Sequence, residues 1–158
     1  MKINLIIFLL LLLSFSCNTQ SEKNNIKKTI SSSNYKKYYD SKKEAKKLAD
    51  SALTYGDTNS YNLAFKQYGL LNCYDDFLYY TIKMSQKHDF NQAYFDTYYL
   101  LTLREKDSLN NLANYYLFKA FEKGNIHAKY EVNEMYPNLK HVPKSSYYII
   151  KINNEQIR

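Results

Sequence analysis

The sequence predicts an all-α fold, a short solenoid of antiparallel helix hairpins. Three observations carry that expectation. Apolar residues recur at helical spacing in successive segments between Ala45 and Tyr136. The three glycines, Gly56, Gly69 and Gly124, stand singly near the ends of those segments. There a residue without a Cβ takes the left-handed cap position at no steric cost. Finally, the helix ends recur. Ala52-Leu-Thr-Tyr-Gly56-Asp57 matches Ala120-Phe-Glu-Lys-Gly124-Asn125 at an offset of 68, with Met84-Ser-Gln-Lys-His88-Asp89 between them.

The first helix is expected to open at Ser41-x-x-Glu44, a capping box, and to carry Ala45, Leu48, Ala49, Ala52 and Leu53 to Gly56. Asp57-Thr58-Asn59 offers N-cap oxygens for a second helix along Tyr61, Ala64, Phe65 and Tyr68, and Gly69 weakens its end. Asp75-Asp76 suits the positive end of a third helix, which carries Phe77, Leu78, Thr81, Ile82 and Met84. Asp89-x-x-Gln92 approximates a capping box for the fourth. That helix, Gln92 to Leu103, is apolar nearly all round, so it belongs in the middle of the stack. Asp107 or Ser108 caps the fifth, whose stripe is Leu109, Leu112, Ala113, Tyr116, Leu117 and Ala120. A sixth runs from Ile126 to Tyr136, where Pro137 stops it. Ser146 to Ile152 is β-branched and aromatic-rich, which predicts a short strand or an extended strap on the last helix.

An N-terminal address precedes these elements. Met1-Lys2 is basic, and Ile3 to Leu13 is apolar apart from Asn4. Ser14-Phe15-Ser16-Cys17 then supplies small residues before a cut, as in a signal peptide. The apolar run is shorter than the ~20 residues that a spanning helix needs. The division expected is a signal peptide over 1–16, a flexible basic tether over 17–40, a helical-repeat domain over 41–136 and a C-terminal tail or strap over 137–158.

The net charge of +7 invites a nucleic-acid partner, but its placement argues against one. Nine lysines and three acids lie between Glu22 and Lys47, whereas twelve basic and twelve acidic residues follow Lys47. A nucleic-acid binder carries its positive stripe on the folded face. Lysines beside a membrane are attracted to anionic headgroups instead, by about 1 kcal/mol each. The plainer alternative is a solvated linker without a binding role.

Two resemblances organise the rest. Residues 14–17 resemble a bacterial lipoprotein signal, in which the cysteine after the cut is acylated. Ser16 fits the small residue before Cys17, and Ser14 departs from the usual leucine. That resemblance implies lipidation at Cys17 and a membrane-anchored protein of the cell envelope. Ser14-x-Ser16 also satisfies an ordinary secretory cut, which would give a secreted protein. The second resemblance rests on a period near 34 to 36 and on Ala113-Asn-Tyr-Tyr116-Leu-Phe-Lys-Ala120-Phe-Glu-Lys-Gly124-Asn125, followed by Ala128. This stretch resembles the Sel-one-like subclass of tetratricopeptide-like repeats. It implies stacked hairpins and a protein-interaction module.

Candidate chemistry is sparse. His88, His127 and His141 have no second His, Cys or carboxylate at a strong metal spacing, so no metal or cofactor is expected. His88 reads as a charge at a helix C-terminus, and His127 as solvent-facing. No Gly-rich phosphate loop and no G-x-S-x-G occurs, and an enzyme is not expected. Cys73 reads as a small apolar residue at a helix end. The remaining candidates for partner binding are Tyr79, Tyr80, Tyr115 and Tyr116, since Tyr79-Tyr80-x-x-Lys83 recurs as Tyr115-Tyr116-x-x-Lys119. One tyrosine of each pair should face the core and leave the other for a partner. With eighteen tyrosines and no tryptophan, many hydroxyls are expected at the rim, facing water. The reading is a membrane-tethered, non-enzymatic interaction module with a protein partner. Its rivals are an immunity or accessory lipoprotein for a secreted toxin, a structural envelope protein, and a small-molecule sensor with an aromatic pocket.

Overall fold

Gly56 and Gly124 close their helices where the sequence places them, with φ of +72° and +77°. At the middle turn the left-handed residue is Asp89, with φ 53°. The computed structural model describes residues 32–104, 110–137 and 141–156. They form α1 (Ser32–Tyr55), α2 (Thr58–Leu70), α3 (Tyr74–His88), α4 (Asn91–Thr102), α5 (Asn110–Glu122), α6 (Ile126–Met135) and α7 (Ser145–Gln156). The described residues contain no strand. Among them, no helix is long and apolar enough to cross a membrane.

The chain is thus an all-α short solenoid of antiparallel helix hairpins. The pairs α1–α2, α3–α4 and α5–α6 are neighbours in contact, joined by short turns. The first helix of one hairpin meets the next, α1 on α3, and α7 packs on α5. Small Ala45, Ala49, Ala52, Ala93, Ala120 and Ala128 are buried where helices cross, which lets their backbones approach. Aromatic rings fill the remaining space. Phe77 lies 5.4 Å from Tyr61, 5.0 Å from Tyr68 and 5.5 Å from Tyr80.

Four local expectations are corrected. α1 begins at Ser32, so Ser41 and Glu44 lie inside it and the flexible tether does not extend through residue 40. No Gly or Pro stands between Ser32 and Tyr55, and a helix held by packing extends cheaply, one bond per residue. Asp89 does not cap α4. It is the left-handed residue after α3, and Phe90 holds the N-cap position without a side-chain cap. Ser145–Gln156 is a helix, not a strand or strap. Ser145 and Tyr148 are buried and Ile152 is half-buried, at helical spacing on one side. The proposed caps Asp107 and Ser108, with Leu109, lie outside the described residues, as do 1–31.

The tyrosines correct a fourth expectation only in part: Tyr35, Tyr38, Tyr39, Tyr55, Tyr79, Tyr99, Tyr130 and Tyr147 are exposed as expected, while several other hydroxyls are satisfied inside the protein. Tyr61 donates to Asp96 Oδ2 at 2.8 Å, Tyr80 to Asp50 Oδ1 at 2.8 Å and Tyr94 to Asp89 Oδ1 at 3.0 Å. Tyr116 lies beside Gln86, and Tyr148 beside Tyr136. Several such bonds join residues about one repeat apart. His88 Nε2 lies 2.8 Å from the Leu53 carbonyl, and Lys87 Nζ donates to the same oxygen at 3.0 Å. His88 therefore does close a helix C-terminus, but that of α1 rather than its own.

Candidate functional site: a tyrosine–lysine ladder

On an α-helix, residues i and i+4 share a face while residue i+1 points about 100° away. The motif Tyr-Tyr-x-x-Lys therefore turns its first tyrosine and its lysine to one side and its second tyrosine to another. In α3, Tyr80 is buried, packed on Phe77 and Tyr68 and hydrogen-bonded back to α1 through Asp50. Tyr79 is 57% exposed, and the Lys83 ammonium sits 6.0 Å from its ring centroid. In α5, Tyr116 is buried against Tyr94 and lies beside Gln86 of α3. Tyr115 is half-buried, and Lys119 lies 3.7 Å from Glu122. Asp50 and Gln86 each precede the tyrosine they adjoin by thirty residues, so α3 and α5 meet their predecessors in one register.

Of the four tyrosines expected to bind a partner, the structure leaves Tyr79 and Tyr115 reachable. Tyr80 and Tyr116 are core residues that hold each helix against its predecessor. A third copy was overlooked. Tyr147-Tyr148-x-x-Lys151 in α7 repeats the motif, and the misreading of this segment as extended concealed it. Tyr148 is buried and stacked on Phe118 at 5.1 Å, while Tyr147 is 48% exposed with Lys151 Nζ 4.8 Å from its ring centroid. All three tyrosine pairs meet edge to face, at 5.4, 5.1 and 5.3 Å. α7 thus turns one tyrosine inward and one outward, as α3 and α5 do. Glu122 fixes its start by accepting from the Ser145 amide at 2.8 Å and hydroxyl at 2.9 Å.

Other chemistry is held in structure. Asp96 is buried in α4, accepting from Tyr61 and from Gln92 Nε2 at 2.8 Å. Burial pushes its carboxyl up to about 6, against the opposing effect of those two donors and of His127. Gln92 in turn accepts from Asn125 Nδ2 at 2.9 Å, and Asn125 Oδ1 caps the His127 and Ala128 amides. Asp96 has neither a second carboxylate nor a nucleophile among these partners. Cys73 is half-buried, its Sγ 3.6 Å from the Tyr68 carbonyl, and burial pushes its thiol up, away from the reactive thiolate. Asp75 and Asp76, in the first turn of α3, pair with Arg104 at 2.9 Å and Lys42 at 2.6 Å. An open cleft of about 730 Å³ lies beside the first of these pairs, lined by Asn72, Tyr74, Asp75, Leu100, Leu103 and Arg104. Among the described residues no cluster of His, Cys, Asp or Glu could hold a metal ion. Cys17, the expected lipidation site, lies outside them. A scan against protein-family models matches none, and searches of curated proteins and of solved structures find no match.

Proposed function

We propose that this chain is a membrane-tethered lipoprotein of the cell envelope that acts as a non-enzymatic protein-interaction module, anchored through Cys17. Its working surface is the tyrosine–lysine ladder of α3, α5 and α7. The observation that supports this reading is the repetition. All three helices pack their second tyrosine into the core; in α3 and α7 the first stands exposed beside a lysine, whereas in α5 Tyr115 is partly packed on the core and Lys119 lies by Glu122. Tyrosine is favoured at protein interfaces because its ring adds contact area at low entropic cost.

Photo-crosslinking tests the surface. A photoreactive residue at position 79 or 147 should capture one protein in stoichiometric amount, whereas one at Lys66 on α2 should capture none. Equal capture from all three positions would remove the ladder from consideration. The anchor is tested separately, since Cys17→Ser should release the protein from membranes.

A further inference from the structure

The repeat sets how long a first helix has to be, and α1 exceeds it. The step that aligns Ala52 with Met84 is 32 residues, and taken back from Tyr74, where α3 starts, it reaches Lys42, yet α1 starts at Ser32. Every residue from Asn34 to Ser41 is exposed, so this overhang is not built to be covered by α2 or α3. Its composition is aromatic and basic: Tyr35, Lys36, Lys37, Tyr38 and Tyr39. Tyr35 and Tyr39 stand one turn apart, and Lys36 and Lys43 lie one turn before and one turn after Tyr39. Lys42, Lys46 and Lys47 are engaged with Asp76, Asp50 and Glu44. Lys36, Lys37 and Lys43 have no carboxylate partner among the described residues. An open cleft of about 220 Å³ continues this side, lined by Tyr39, Lys42, Lys43, Lys46 and Tyr68.

We propose that this overhanging side of α1 docks on an anionic lipid surface. Tyr35 and Tyr39 sit at the level of the headgroups, and Lys36 and Lys43 lie against their phosphates. Tyrosine favours the membrane–water boundary, where its ring is sheltered and its hydroxyl is wet. Lysine keeps its ammonium in the headgroup layer while its stem lies on apolar surface. Charge complementarity selects an anionic bilayer, and the short reach of the patch argues against nucleic acid, because bases and acids balance beyond Lys47. The inference rests on the tethered reading above and adds to it: fourteen residues separate Cys17 from Ser32, so α1 is the first described helix after the anchor. The anchor brings the protein to the bilayer, and the basic side of α1 sets which way the solenoid stands on it.

The test uses the full chain with Cys17→Ser, so that no acyl chain contributes, and vesicles of phosphatidylcholine alone or mixed with phosphatidylglycerol. The ratio of binding to the two vesicle types removes any contribution from the apolar leader. Binding should be stronger on the anionic vesicles and fall with salt. Lys36→Gln with Lys43→Gln should cut the anionic advantage by about 30-fold, at about 1 kcal/mol per lysine. Tyr35→Ser with Tyr39→Ser should weaken binding to both vesicle types, with thermal melting unchanged in each variant. An unchanged ratio in the lysine variant overturns the proposal, as does equal binding to both vesicles. Neither result touches the anchor, which is judged by the release of Cys17→Ser from membranes in cells.

Discussion

The Tyr61 hydroxyl reaches across 35 residues to donate to Asp96 Oδ2 at 2.8 Å, joining α2 to α4 through two buried side chains. The pair gives the domain a pH signature. Asp96 has an ordinary value of 3.8, and burial raises it to about 6 in the folded state. Between those values the native protein binds more protons than the unfolded chain, so the stability from this group falls as pH rises. The span corresponds to something on the order of 3 kcal/mol. Asp50, by contrast, is held below its usual range by Lys46 and Tyr80, and its contribution is lost only as the pH falls below about 4. Asp96→Asn should raise the melting temperature at pH 7 and leave it nearly unchanged at pH 4. Parallel melting curves for the variant and parent across that interval would refute the assignment.

Gly56 and Gly124 share a left-handed backbone but differ in surroundings. A Cβ at Gly56 would lie 2.8 Å from His88 Nδ1, whereas nothing lies within 4 Å of one at Gly124. Gly124→Ala should therefore cost only the backbone term, about 1–2 kcal/mol. Gly56→Ala should cost measurably more by denaturant unfolding. In a double-mutant cycle, His88→Ala should recover part of that excess.

Tyr80→Phe removes one hydroxyl from the core side of α3 and takes a donor from Asp50. The expected loss is about 1 kcal/mol. Tyr79→Phe, on the exposed side, should change stability by less than about 0.5 kcal/mol. Equal effects at the two positions would contradict the inward and outward assignment on which the ladder depends.

The packing of α7 can be tested in the same way. Tyr148 stacks on Phe118 with ring planes 17° apart. Tyr148→Ala should cost about 3–5 kcal/mol, the range for losing a buried ring. Tyr147→Ala should be close to neutral. A strand would put Tyr148, Ile150 and Ile152 on one buried face, so Ile150→Ala, which should be close to neutral in the helix where Ile150 is exposed, would then be costly.

Helix ends were the most legible part of the sequence, because glycine at a left-handed position is a local requirement with a local signal. Asp57 was readable as a cap and accepts from the Asn59 amide, and the structure adds Asn125 as a second cap of the same kind. Where the reading failed, two local signals competed or a partner lay far away in sequence. At Ser146–Ile152 a run of β-branched residues outweighed the spacing of Ser145, Tyr148 and Ile152, although the thrice-repeated Tyr-Tyr-x-x-Lys was in plain view. At Ser41-x-x-Glu44 a good cap motif was taken for a start, when nothing upstream obliged the helix to stop. Asp96, alone in an apolar helix, was the visible sign of a buried polar network, but its partner Tyr61 could be reached only through the repeat. The hydroxyls of Tyr61 and Tyr80 gave no sign of being satisfied inside, because their acceptors Asp96 and Asp50, thirty or more residues away, leave no mark beside them.

Those distant acceptors give folding a direction. A nascent chain presents Asp50, Leu53 and Tyr61 first, while Tyr80, His88 and Asp96, which complete them, emerge 30 to 35 residues later. The hairpin of α1 and α2 must therefore wait, incompletely bonded, until α3 and most of α4 have been made. The same holds at the next step, where Gln92 waits for Asn125. During synthesis each hairpin is finished by the one that follows it, so a pause in elongation inside α4 would hold the first hairpin in the state most open to proteolysis and misassembly.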